Sequence, residues 1–233
     1  MKNRKIVGLS QFGLSWVGRE GVMLEEHPYL FLSKKGEDPF IFAQSSLHEL
    51  NDFCVTLFES IKTKAAEQPT FEQALKSAGE ENGYDVTFIY AFGYKADDLG
   101  RMFGPASALI MLYANLIRSL HVIAKHYSPK NYENWRTTRD TRGAELGQLA
   151  ALLGKICGEE LNVLKKPRVR ILLNETMRTL RNDFLHGNWE GVERRLVGVN
   201  LRSCFEIVSH ILGALEEKFD EDRLLPNKYK IIA

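Results

Sequence analysis

The sequence predicts a mainly α protein: a four-helix bundle carrying an N-terminal α+β accessory region built from a β-hairpin and helices. Three observations lead there. From Pro105 onward the apolar residues recur at helical spacing in four long stretches joined by short connectors. The first 43 residues are instead rich in glycine and β-forming residues. The composition, 44% hydrophobic and 26% charged over 233 residues, is that of a globular chain long enough to bury a core. The expected division is residues 1–100 as the accessory region, 101–220 as the bundle and 221–233 as a surface tail.

In chain order, Tyr29–Ser33 and Pro39–Ala43 read as two strands of a hairpin, with Gly36 in the loop between them. Ser46 and Glu49 form a capping box ahead of Leu47, Leu50, Phe53, Leu57 and Ile61, so a helix is expected to begin at Ser46. Thr70 and Gln73 suggest a short helix by the same logic, while Tyr84–Phe92 fits a strand or a buried helix. The first bundle helix is expected from Pro105 to about Tyr127, closed by Ser128 and Pro129. A second spans about Arg142 to Leu161, and a third runs from Pro167 to a glycine stop at His186-Gly187. A fourth is expected from Val192 to Phe219 as one continuous helix.

Several function classes lose support early. Cys54, Cys157 and Cys204 lie far apart, which argues against a disulfide framework or a cysteine zinc site. The N-terminus has no continuous apolar run of the signal-peptide kind, and Asn115 and Arg118 interrupt the apolar stretch 106–117 before the roughly 20 residues of a membrane span. A cytoplasmic protein with no membrane partner is therefore expected. The chain lacks a phosphate-binding G-x-x-x-x-G-K-[ST] loop and an H-E-x-x-H pair. The glycines at 8, 13 and 18 do not have nucleophile-elbow spacing. His121 and His126 read as structural residues, and Asp97-Asp98 as a solvated helix start. No metal or cofactor is expected.

The net charge of +1 hides an uneven distribution. Residues 1–135 carry 14 Lys/Arg against 16 Asp/Glu, residues 136–202 carry 13 against 8, and residues 203–233 carry 4 against 6. The basic middle encloses the segment Arg181-Asn182-Asp183-Phe184-Leu185-His186-Gly187, at the end of the third bundle helix. Arginine and asparagine followed four residues later by histidine arise by chance in about one such chain in fifty.

This segment and the helix order over residues 105–219 resemble the HEPN superfamily, whose active members carry R-N-x-x-x-H on the third helix of a four-helix bundle. The resemblance implies a metal-independent endoribonuclease that works as a homodimer, often as a toxin or anti-phage effector. It implies catalytic roles for Arg181 and His186, with Asn182 positioning them. The tyrosine that family toxins modified by a nucleotidyltransferase carry two residues after the histidine is replaced here by Asn188.

The chemistry is consistent without the family. Histidine can give or take a proton near neutral pH, and a guanidinium holds phosphate oxygens bidentately. A helix C-terminus also favours positive charge. Arg178, Lys165, Lys166, Arg168, Arg170, Arg194 and Arg195 are the candidate RNA contacts, for single-stranded or structured RNA. Trp135 and Trp189 could stack on unpaired bases. On a helical wheel Leu173, Met177, Leu180 and Phe184 face the core, while Ile171, Leu172 and Leu185 lie on the far side and call for a second packing surface. The alternatives are capping by His186 with Arg181 paired to Asp183, Glu175 or Glu190, and a non-catalytic module binding nucleic acid, a nucleotide or a protein partner. A subunit of a larger defence or CRISPR-type complex is compatible with either function.

Overall fold

The computed structural model describes residues 14–15, 29–67, 102–139, 145–158 and 160–219. The glycines at 8, 13 and 18, the helix expected at Thr70, Tyr84–Phe92, Asp97-Asp98, Arg142 and the tail from Asp220 lie outside them. The described residues are mainly helical and contain no strand.

The helix Gly104–Tyr127 (α2, with Asp38–Glu67 before it as α1) is the centre of the fold. Leu109, Leu112, Leu116, Leu120 and Ile123 on it are fully buried. Such a helix is also long and apolar enough to cross a membrane, but here α1 and most of the later helices pack against it. Pro105 sits in its first turn, where a missing N–H costs nothing. Ser128 closes it as expected, yet Pro129 then opens a further helix, Pro129–Thr138 (α3), that the periodicity did not show. Next come Glu145–Cys157 (α4) and the single-turn Asn162–Lys165 (α5).

The expected third bundle helix is present, with a change of winding in its middle. It begins as Pro167–Arg170 (α6), continues as a π-helical stretch over Ile171–Arg178 and ends as Thr179–Leu185 (α7). The π winding revises the wheel. Leu173, Met177 and Leu180 are buried as expected, but Leu172 joins them at 8% exposure, because residues five apart now share a face. Ile171 and Leu185 do stay outside, 48% and 64% exposed.

Two further expectations are corrected. The β-hairpin is absent: Pro39–Ala43 is the start of α1, and Tyr29–Ser33 is an irregular strap. Phe40, Ala43, Leu47, Cys54 and Phe58 are buried at helical spacing, so the helix begins eight residues before Ser46, which is left in its interior. The strap has no need of a strand partner, because side chains satisfy its backbone. Ser209 Oγ donates to Tyr29 O at 3.0 Å, His48 Nε2 lies 3.0 Å from Phe31 O, and Gln44 Oε1 accepts from Ser33 N at 2.8 Å. The Glu216 carboxylate then accepts from Lys34 N at 3.1 Å and Lys35 N at 3.2 Å, just beyond the strap.

The fourth expected helix is two: Trp189–Leu196 (α8) and Leu201–Lys218 (α9). Gly198 takes φ +74° between them, and the Asn200 side chain accepts from Ser203 N at 3.0 Å to start α9 afresh. Apolar spacing persists across the break, which hides it from a periodicity argument.

Replacing Leu172 by Ala is expected to cost about 2–4 kcal/mol in chemical denaturation, against about 0.5 kcal/mol for Ile171→Ala. Equal costs would contradict the π-helical phase. Burial pushes the Cys54 and Cys204 thiols up to about 12, while Cys157 is only half-buried. In a thiol-reagent titration of native protein near pH 8, Cys157 is expected to react first, with Cys54 and Cys204 following only on unfolding.

Candidate functional site

Arg181 and Asn182 lie in the last turns of α7, and His186 is the residue that closes it. Helical winding places Asn182 one turn below His186, with Arg181 beside it, and all three residues are exposed. None of the three side chains forms a hydrogen bond or ion pair with a described residue. Arg181 therefore lacks the carboxylate partner that its neighbours offered.

Two of those carboxylates, Asp183 and Glu190, are engaged elsewhere. Asp183 accepts from Asn188 Nδ2 at 2.9 Å and pairs with Arg195 at 3.7 Å, and Glu190 pairs with Arg194 at 3.1 Å. The backbone beneath the motif is closed by a Schellman turn. Asn188 N donates to Asp183 O at 2.8 Å and Gly187 N to Phe184 O at 3.2 Å, with Gly187 at φ +68°. Asn188 Oδ1 then caps α8 by accepting from Gly191 N at 3.2 Å. Gly191 must be small, since a Cβ there would stand 2.8 Å from the Asp183 carboxylate. The turn is thus held by Asp183 and Asn188, which leaves Arg181, Asn182 and His186 available to a ligand.

Beside the motif lies an aromatic cluster. Phe103 packs against Phe184 at 6.3 Å and Trp189 at 5.2 Å between ring centroids, and Phe184 meets Trp189 edge-on at 5.5 Å. Trp189 remains 44% exposed, next to the protruding Leu185. Its ring therefore serves packing on one side and faces outward on the other.

The candidate RNA contacts divide into separate groups. Arg194 and Arg195 lie on α8, close to the motif, and both are paired. Lys166, Arg168 and Arg170 sit at the start of the same long helix, about 24–30 Å from His186 at 1.5 Å per residue. Lys166 Nζ contacts His210 Nε2 at 3.0 Å there. Arg178 and Lys165 instead line a cavity of about 890 Å³ between α4 and the π-helical stretch. Its floor is made of Gly147, Ala150, Ala151 and Gly154, and Asn174 reaches it from the π-helical stretch together with Arg178. The basic middle of the sequence is consequently not one patch.

A polar cluster that spacing alone did not bring together joins α2, α3 and α4. His121 Nε2 is 3.2 Å from the Glu145 carboxylate, and its Nδ1 is 3.0 Å from the Tyr132 hydroxyl. Arg139 also donates to Glu145 and lies 5.1 Å over the Trp135 ring. The structural reading of His121 agrees with these contacts, and His126 meets Tyr127 edge-on at 5.0 Å between ring centroids. Burial pushes the Glu145 carboxyl up, but the hydrogen bonds and charges of Arg139 and His121 outweigh it and hold the group below its usual range. Burial likewise raises the Tyr113 phenol; Arg178 and Arg181 pull it down and Glu145 pushes it up. Tyr113 thus feels the motif, the cavity rim and the Glu145 cluster together.

Comparison of the chain with protein-family models, with curated proteins and with solved structures finds no match.

Glu145, Tyr113, Lys155 and Asn174 are the residues the spacing missed. The run of small residues Gly147, Ala150, Ala151 and Gly154 at helical spacing was the available signal for a groove on α4. A depressed carboxyl contributes stability above its unfolded pKa, about 4.3 for glutamate, and loses it as pH falls through the folded value. The melting temperature of Arg139→Ala is therefore expected to fall below that of the native chain at pH 7, with the gap closing as acid protonates the Glu145 carboxyl. A gap that persists at low pH would show that Arg139 acts by packing alone.

Proposed function

We propose that the chain is a HEPN-like, metal-independent endoribonuclease that acts as a homodimer on RNA. The observation that carries the reading is the state of Arg181, Asn182 and His186. They sit together at the end of the third bundle helix, exposed and unpaired, while every carboxylate immediately around them but Glu175 is engaged elsewhere.

In the proposed reaction the RNA 2′-hydroxyl attacks the adjacent phosphorus and the bond to the 5′-oxygen breaks. The products are a 2′,3′-cyclic phosphate and a free 5′-hydroxyl. One histidine takes the 2′ proton and another protonates the leaving oxygen, so a chain with one motif needs a second copy. Arg181 holds the non-bridging oxygens as negative charge builds, and Asn182 orients the phosphate beside it. Leu185 and Trp189, exposed next to the motif, offer apolar surface to that second copy. Through the resemblance, a toxin or anti-phage effector is the biological role this activity suggests.

Purified protein is expected to cut labelled single-stranded RNA in excess chelator and leave 2′,3′-cyclic ends. His186→Ala and Arg181→Ala are each expected to slow the cut by about 100-fold or more. Undiminished cleavage by both variants would remove these residues from the mechanism, and an inert wild type would favour a binding module. Light scattering is expected to report a dimer; a strict monomer would contradict the two-motif site.

A further inference from the structure

A second cavity, of about 460 Å³, lies on the opposite flank of α4 from the first. Ala151 and Lys155 line both, and both are exposed, so the two cavities meet across the back of α4. The halves differ in chemistry. The second is lined by Trp135 and Arg139 together with the amides of Asn131, Asn134 and Gln148. A flat guanidinium–indole pair beside three amides suits an unpaired base, which stacks by its face and exchanges hydrogen bonds along its edges. The first has a floor of small residues and a rim of Lys155, Lys165 and Arg178, with Glu160 beside Lys165.

Charge within this groove sorts itself by pairing. Arg139 is held by Glu145, and Lys165 is held by Glu160 at 2.6 Å. Lys155 and Arg178 have no carboxylate partner among the described residues. One of them stands where the two cavities join and the other where the first cavity meets the motif helix. Arg178 is one turn from Arg181 and Asn182, an advance of about 5 Å along the helix.

We propose that single-stranded RNA crosses α4 in this groove, with an unpaired base on the Trp135–Arg139 pair and backbone phosphates on Lys155 and Arg178, and so reaches Arg181 and His186. The proposal rests on the ribonuclease reading for the nature of the strand, and it adds the path by which the strand arrives. It also moves the main RNA surface away from Lys166, Arg168 and Arg170. Unpaired bases are required, because paired ones turn their faces into their own stack.

The test is fluorescence anisotropy with the full chain and a fluorescein-labelled single-stranded RNA methylated at every 2′-oxygen, which binds without being cut. The wild type is expected to bind in a salt-dependent way. Lys155→Glu and Arg178→Glu, both at exposed positions, are each expected to weaken binding about tenfold or more. Trp135→Leu is expected to weaken it severalfold. Lys62→Glu on α1, outside both cavities, is expected to bind as the wild type does, and a duplex of the same strand is expected to bind less tightly.

Unchanged binding by both charge variants, equal binding of the duplex, or no binding by the wild type would each overturn the proposal. Its fate is separable from that of the nuclease. Cleavage that needs His186 but is indifferent to Lys155 and Arg178 removes the path alone. Binding that needs Lys155 and Arg178, in a chain that cuts nothing, upholds the path and removes the nuclease.

Discussion

One apolar helix carries a broad stripe that the other helices have to cover, and the rest of the fold follows from that requirement. Leu109, Leu112, Leu116, Leu120 and Ile123 on α2 are all fully buried. The hydrophobic effect rewards each neighbour that hides part of this surface, at roughly 25 cal/mol per Å² of apolar area. α1 and α9 cover one part, α3 and α4 another, and the motif helix and α8 a third. The motif is therefore set by the core: Met177 and Leu180 are anchored inside, and the last turn of α7 has to project where it does.

Much of this was readable along the chain, because it depends on local signals. Pro105, Ser128 and Gly187 mark helix ends by backbone chemistry that needs no tertiary context, and all three act where they were expected to act. The apparent hairpin misled for a tertiary reason. Tyr29–Ser33 carries strand-forming residues, yet the side chains of Gln44, His48 and Ser209 bond its backbone, and Glu216 takes the next two N–H groups. Glu216 lies more than 180 residues away in sequence, and no local pattern announces it. The break at Gly198 was hidden differently, by apolar spacing that continues in phase through it.

The candidate site divides along the same line. Arg181, Asn182 and His186 are neighbours in sequence, so the motif was legible as a unit. That Arg181 is left unpaired was not, because it depends on Asn188 and Arg195 occupying Asp183 first. The basic excess was legible only as a sum. Folding distributes it over two ends of one helix and the rim of a cavity, and pairs much of it with carboxylates.

The π-helical stretch has a consequence for the angular setting of the molecule. Relative to an α-helix, a π turn holds an additional residue, and each residue of an α-helix corresponds to about 100° of rotation about its axis. Residues 171–178 therefore act as slack between the base of the long helix and its tip. With Met177 and Leu180 anchored in the core, a deletion of one residue there is absorbed by a return to α winding, and Arg181 and His186 keep their bearing relative to Val169. The core fixes the direction of the tip, and the winding defect takes up the length.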